Sequence, residues 1–349
     1  MGKLRVWGAV VAVALALIAA GCTQPPTIGG TGGAPNSWSV NPKTTDPAIA
    51  NDPTYTHLAY APTGTPRGKL AVVLHGTGSS PLAYTEVAAA LRTAGFHVIV
   101  LRYSAVVGTL TACPDSGAAT DPDCHRTFRS ETVFGAGVPD PSGNAYDHAG
   151  VAINGANSVM NRLLKVVDYL QAIAPTAGWG AFQQRTGSTC TSVNTTYGAC
   201  DLKWSNVVTV GHSQGAGVAL YLGKFFPLSK VEMLSGSYDA YNLGGGAFAV
   251  APWVAEGGLA VSTDDIGTML HTSDYGLSLF RAVENALNVT GSEVSVTSSS
   301  PPFGGSHRLV TSLASTCPWD SVPGHNSTAV DLCAPDYTYW AAWQYLAGA

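Results

Sequence analysis

The chain has 349 residues, of which 46% are hydrophobic and only 11% charged, and its net charge is −5 at pH 7. This length leaves room for one sizeable domain behind a short leader. No Lys/Arg cluster lies beyond the first five residues, which argues against nucleic-acid binding, and no repeat of solenoid length is visible.

Lys3 and Arg5 precede an apolar run, Val6 to Ala20, that is too short to span a membrane. The run ends in Leu17-Ile18-Ala19-Ala20-Gly21-Cys22, which resembles a bacterial lipoprotein processing site. Residues 1–21 are therefore expected to be a lipoprotein-type signal peptide, with Cys22 as the lipidated new N-terminus. Ordinary signal cleavage nearby, with Cys22 a bystander, is the alternative. Residues 22–45 are rich in Pro, Gly, Thr and Ser and read as a flexible tether, and 46–349 as the folded domain. Removing Cys22 leaves an even set of cysteines that falls into three close pairs: Cys113–Cys124, Cys190–Cys200 and Cys317–Cys333. An even set in an exported chain suggests disulfides, each worth about 2–3 kcal/mol. No C-x-x-C occurs, so a metal site is disfavoured.

Along the chain, 55–60 reads as an edge strand, and Lys69 to Leu74 (KLAVVL) as a strand buried on both faces of a parallel sheet. It leads into His75-Gly76-Thr77-Gly78. A helix is expected over 82–93 and a second buried strand over His97 to Leu101 (HVIVL), which together make a right-handed crossover. The stretch 104–149 loses all periodicity and reads as a long loop walling a site. A helix follows over 154–174, and then a second irregular insert, 176–204. Beyond these come a strand over 230–234, a Gly-rich insert over 240–264 carrying Phe248 and Trp253 as a substrate-side cap, and a strand over 266–270. A helix over 277–287, a last strand over 308–313 and a C-terminal helix over 337–346 complete the pattern.

The chemistry concentrates in Asn206 to Leu220, NVVTVGHSQGAGVAL. A β-branched run, a turn at Gly211-His212-Ser213-Gln214-Gly215 and a helix of small residues form the G-x-S-x-G pattern in its strand–turn–helix context. The turn would hold the Ser213 hydroxyl at its tip, beside the free N–H groups of the new helix. A serine hydroxyl needs a base, and the base needs an acid. In this arrangement the order is Ser, acid, His. Of the nine histidines only His307 and His325 follow the candidate acids. His307 opens the last strand and reads as structural; His325 lies in a loop beyond it and is preferred as base. Asp274 and Asp239 each follow a sheet strand; Asp274 is preferred because its strand is the later one. Asp264 and Asp265 precede their strand, and Asp320 and Asp331 read as solvated. Backbone N–H groups of Gln214 and Thr77 are the expected oxyanion donors, with the Thr77 hydroxyl a third. His75 is read as shaping its loop and His212 as packing behind the turn.

HGTG after one strand, GHSQG after another, a later Asp and a late Gly-His resemble the α/β-hydrolase superfamily over about 54–346. The resemblance implies an α/β fold with a mostly parallel central sheet, flanked by helices on both faces, and with disulfide-stapled loop inserts. It also implies an exported serine esterase or lipase-like hydrolase, with Ser213 as nucleophile, Asp274 as acid, His325 as base, and Thr77 and Gln214 as oxyanion donors. Such an enzyme acts on small-molecule, lipid or polymer esters, needs no metal or organic cofactor, and is a monomer that meets the membrane only through Cys22. The rival readings are an acyltransferase or peptidase on the same residues, and an inactive cell-surface binding module.

Overall fold

Runs of apolar and β-branched residues, too continuous to alternate between core and water, become the interior strands of a nine-stranded sheet. The computed structural model describes residues 36–50, 55–317, 322, 324–335 and 337–349; the expected signal peptide, Cys22 and the tether up to residue 35 lie outside the described residues, as does Asp320. The strands are β1 (Ser37–Val40), β2 (His57–Tyr60), β3 (Leu70–Leu74), β4 (His97–Leu101) and β5 (Val207–His212), then β6 (Lys230–Leu234), β7 (Ile266–His271), β8 (Val294–Ser295) and β9 (Arg308–Thr311). They pair in the order β1-β2-β4-β3-β5-β6-β7-β9-β8. Only β2 runs against its neighbours; every other pairing is parallel. This is the mostly parallel central α/β sheet expected from the sequence.

Helices cover both faces. Along β3, Val72 and Leu74 pack on one side, and Ala71 and Val73 on the other. The first side receives α2 (Cys124–Phe134), α3 (Val159–Ile173), α4 (Gln214–Phe225) and α5 (Leu277–Ala286). The second receives α1 (Thr85–Thr93) and α6 (Trp340–Leu346), with Trp343 wholly inside. The three predicted cysteine pairs are bonded, closing loops of 11, 10 and 16 residues' separation.

The fold departs from the sequence expectations in several places. Folding begins inside the expected tether: Ser37–Val40 pairs with β2, and Pro42–Thr45 is a helical turn capped by the Asn41 side chain. Val40 is buried and Trp38 meets Trp179 edge-on at 5.5 Å, so this segment has apolar surface to bury that its Pro/Gly-rich surroundings conceal. The stretch 104–149 is not irregular throughout, because it contains α2. That helix was illegible because its buried face carries His125, Arg129 and Glu131 beside Phe128. Glu131 accepts from the N–H groups of His148 and Ile153, which ties the returning loop to the helix. The 240–264 insert is a hairpin, Ala240–Gly244 with Ala247–Val250, after which Trp253 turns into the core instead of capping a site. Asp331 is not solvated: its carboxylate accepts from Thr85 N and Oγ1 and from Glu86 N, and so caps α1.

Candidate active site

The turn between β5 and α4 is sterically exclusive. A Cβ on Gly211 would lie 2.1 Å from the Gly215 carbonyl oxygen, and one on Gly215 would lie 2.1 Å from that of Leu74. Squeezed between them, Ser213 adopts φ 57° and ψ −119°, a region that costs a non-glycine residue on the order of 1–3 kcal/mol. Its own N–H is held by the Leu234 carbonyl at 2.9 Å. The strained turn projects the hydroxyl above the carboxyl ends of the strands.

The residue opposite it arrives from the loop after β9. Gly324, at φ +85°, passes so close to His271 that a Cβ would lie 2.1 Å from the ring, and the next residue, His325, reaches back over the sheet. His325 Nε2 lies 2.8 Å from Ser213 Oγ, and Nδ1 lies 2.8 Å from Asp274 Oδ2. Asp274 follows β7 and also accepts from Gly276 N at 2.9 Å. All three side chains are buried. An imidazole fixed this way donates from Nδ1 to the carboxylate and offers Nε2 to the serine proton.

Asp239, the other candidate acid, is committed elsewhere. Arg129 donates to it from Nε and Nη2, the latter at 2.8 Å, and Ser237 Oγ and Trp253 Nε1 donate as well. Burial alone would raise the Asp239 pKa; the Arg129 charge and hydrogen bonds, with His125 and Ser237, hold it below the ordinary value instead. His307 stands half-buried at the entry to β9 with its ring against Tyr345, and Asp265 pairs with Lys230 at the far end of the sheet.

The backbone N–H groups of Thr77 and Gln214 meet no acceptor among the described residues. The Thr77 hydroxyl, expected as a third donor, instead donates to Gln214 Oε1 at 2.6 Å and thereby couples the two loops. Arg129 Nη1 holds the Gln214 carbonyl at 3.1 Å from behind.

Tyr84 went unnoticed in the sequence, where it is one aromatic among many. Its hydroxyl accepts from Gly76 N and donates to His212 Nδ1, and His212 Nε2 donates to the His325 carbonyl. His212 thus does more than pack: it links the 75–78 loop to the backbone of His325. Rings of His212, Tyr238, Tyr275 and Phe280 surround the His325 imidazole with centroids at 5.2, 5.8, 5.2 and 6.3 Å.

Cys113, Cys124 and His148 lie as close together as the ligands of a metal ion, but both sulfurs are spent in the disulfide, and His148 faces them with Nε2 at 3.8 and 3.2 Å.

Four imidazoles are kept neutral, chiefly by burial: His57 and His212 at a pKa of about 3, and His75 and His125 at about 4. In the unfolded chain each titrates near ~6.5. Because the folded values are depressed, the unfolded state takes up the protons first, and stability is complete above ~6.5 and falls as the pH drops toward ~4. The slope is about 1.4 kcal/mol per pH unit for each histidine protonated only on unfolding. The urea midpoint should therefore hold steady between pH 7 and 8 and drop steeply below pH 6. A midpoint unchanged down to pH 4.5 would show that these rings are not buried neutral.

No protein-family model matches the chain, and no curated protein resembles it in sequence. Solved structures do. A carboxylesterase from Mesorhizobium loti is 11% identical, with 86% of this chain and 98% of that one covered and a TM-score of 0.34. The esterase domain of a Rhodothermus marinus protein is 11% identical over 79% of this chain and 85% of that one (TM-score 0.31), and the Bacillus cereus carboxylesterase 14% over 66% and 80% (TM-score 0.29). At these scores the fold rests on the strand order and the elbow, not on the likenesses.

Proposed function

We propose that this protein is an exported serine hydrolase that cleaves carboxylic esters through an acyl-Ser213 intermediate. The observation that carries the reading is the continuous hydrogen-bonded line from Ser213 Oγ through His325 to Asp274, both links at 2.8 Å, beside two unpaired N–H groups. In the first half-reaction Ser213 Oγ bonds to the ester carbonyl carbon while its proton passes to His325 Nε2. The carbonyl oxygen becomes an oxyanion, received by the N–H groups of Thr77 and Gln214. Each such donor is worth on the order of 3 kcal/mol of barrier. Asp274 stabilises the imidazolium and keeps its proton on Nδ1. The bond to the alcohol oxygen then breaks, and His325 returns the proton to that oxygen. In the second half water repeats the sequence, releasing the acid and restoring Ser213.

The three disulfides support an oxidising compartment, and the Lys3/Arg5, Val6–Ala20, Cys22 pattern supports export with a lipid anchor. The purified full chain should hydrolyse p-nitrophenyl acetate and become covalently labelled by a small fluorophosphonate on the peptide that contains Ser213. Folded protein that does neither would refute the proposal and leave a binding role. Mass analysis of protein from the membrane fraction should find diacylglycerol on Cys22; a mature N-terminus elsewhere without lipid would refute the anchor alone.

A further inference from the structure

A cleft of about 560 Å³ opens beside Gln214, between the 104–107 segment, α2 and the returning 149–153 segment of the first disulfide insert. Its volume falls in the range of ordinary small-ligand pockets. Val106, Val107, Phe128, Val151 and Ile153 line it, with Ser104 and Thr132 as polar points and no charged side chain. Ala149 and Ala152 form an exposed part of the wall. Apart from Gln214 this lining comes wholly from the insert, which no sequence motif connected to a substrate.

The two sides of Ser213 differ. His325 must protonate the departing alcohol, so the alcohol portion of an ester lies on the His325 side. Tyr238, Tyr275 and Phe280 ring that imidazole, and none of them lines the cleft. On that side Tyr275 is 60% exposed. The cleft begins at Gln214, one of the two oxyanion donors, and Gln214 in turn is bonded through its side chain to Thr77, the other. A carbonyl oxygen seated on those two N–H groups, with its alcohol toward His325, directs its acyl chain into the cleft.

We infer that the disulfide-stapled 104–153 insert is the acyl-binding subsite and that the substrates are esters of uncharged medium-chain acids with little restriction on the alcohol. This rests on the ester-hydrolase reading above. The absence of charge selects against acyl groups that carry a carboxylate or an ammonium, because either would be desolvated without a partner. The apolar wall rewards each methylene it covers.

The test is kcat/KM for p-nitrophenyl acetate, butyrate, hexanoate and octanoate, beside Ala149→Phe and Val107→Phe, and for ethyl against benzyl octanoate. Wild-type kcat/KM should climb by up to about fourfold per methylene, the value of one buried CH₂ group. Ala149→Phe sits at an exposed position and fills the cleft without touching the core. It should cut octanoate turnover by tens of fold and leave acetate within about twofold. Val107→Phe, on the 104–107 segment, should do the same. The ethyl and benzyl esters should differ by only a few-fold. A wild type that cleaves acetate but climbs with neither chain length nor loses octanoate in both variants overturns the inference and leaves the proposed function standing. So does equal loss of acetate and octanoate. A wild type that cleaves no ester overturns both.

Discussion

Ser213→Ala and His325→Ala are each expected to lower kcat for ester hydrolysis by about 10⁴–10⁶, with the double variant no worse than either one, because residues that act as a unit are lost as a unit. In the proposed mechanism the serine supplies the atom that bonds to carbon and the histidine carries the proton, so neither function survives without the other. Asp274→Asn should lower kcat by about 10⁴, since an amide donating to Nδ1 forces the ring into the wrong tautomer. Folding should be preserved in all three. His307→Ala should stay within about twofold of wild type, because that ring packs on Tyr345 at the entry to β9. Activity that survives His325→Ala and disappears in His307→Ala would mean that the base has been misassigned.

Arg129→Met and Asp239→Asn should each destabilise the fold by about 3–5 kcal/mol, seen as a fall in Tm on the order of 10 °C. Both side chains are fully inaccessible, and the pair joins α2 to the loop after β6. Removing one partner strands a charge in a medium that cannot solvate it. Replacing both, as Arg129→Met with Asp239→Leu, should recover part of the loss, because two buried charges are exchanged for two apolar groups. Arg129 also holds the Gln214 carbonyl, so Arg129→Met should lower kcat more than it raises KM. A melting temperature unchanged in both single variants would show that water reaches the pair.

What was legible in the sequence follows from how local each signal is. Strands β3, β4 and β5 stood out because burial on two faces leaves few polar residues in a run, and the turn at Ser213 because two glycines are obligatory within five residues. The cysteine pairs were legible because each partner is the nearest in the chain. Ranking Asp274 above Asp239 used strand order and the Tyr275-Gly276 turn into a helix; the geometry that separates them, Asp274 on His325 and Asp239 on Arg129, is long-range. For the same reason α2 was invisible: His125, Arg129 and Glu131 look solvent-facing until their partners, some from the far half of the chain, are in place. Trp38 shows the converse, one aromatic outweighing a composition that reads as disordered.

Each disulfide closes a loop between neighbouring elements, after β4, before β5 and after β9, and none ties one strand of the nine-stranded sheet to another. The crosslinks are therefore not girders of the scaffold but clasps on detachable panels. A panel that carries its own clasp can be lengthened, shortened or exchanged over evolutionary time while the register of the strands beneath it stays as it was. The panels are not equal in this: the one clasped by Cys317–Cys333 carries His325, so under the proposed function it must be copied as faithfully as the elbow, and only the other two are free to wander toward whatever ester the surroundings supply.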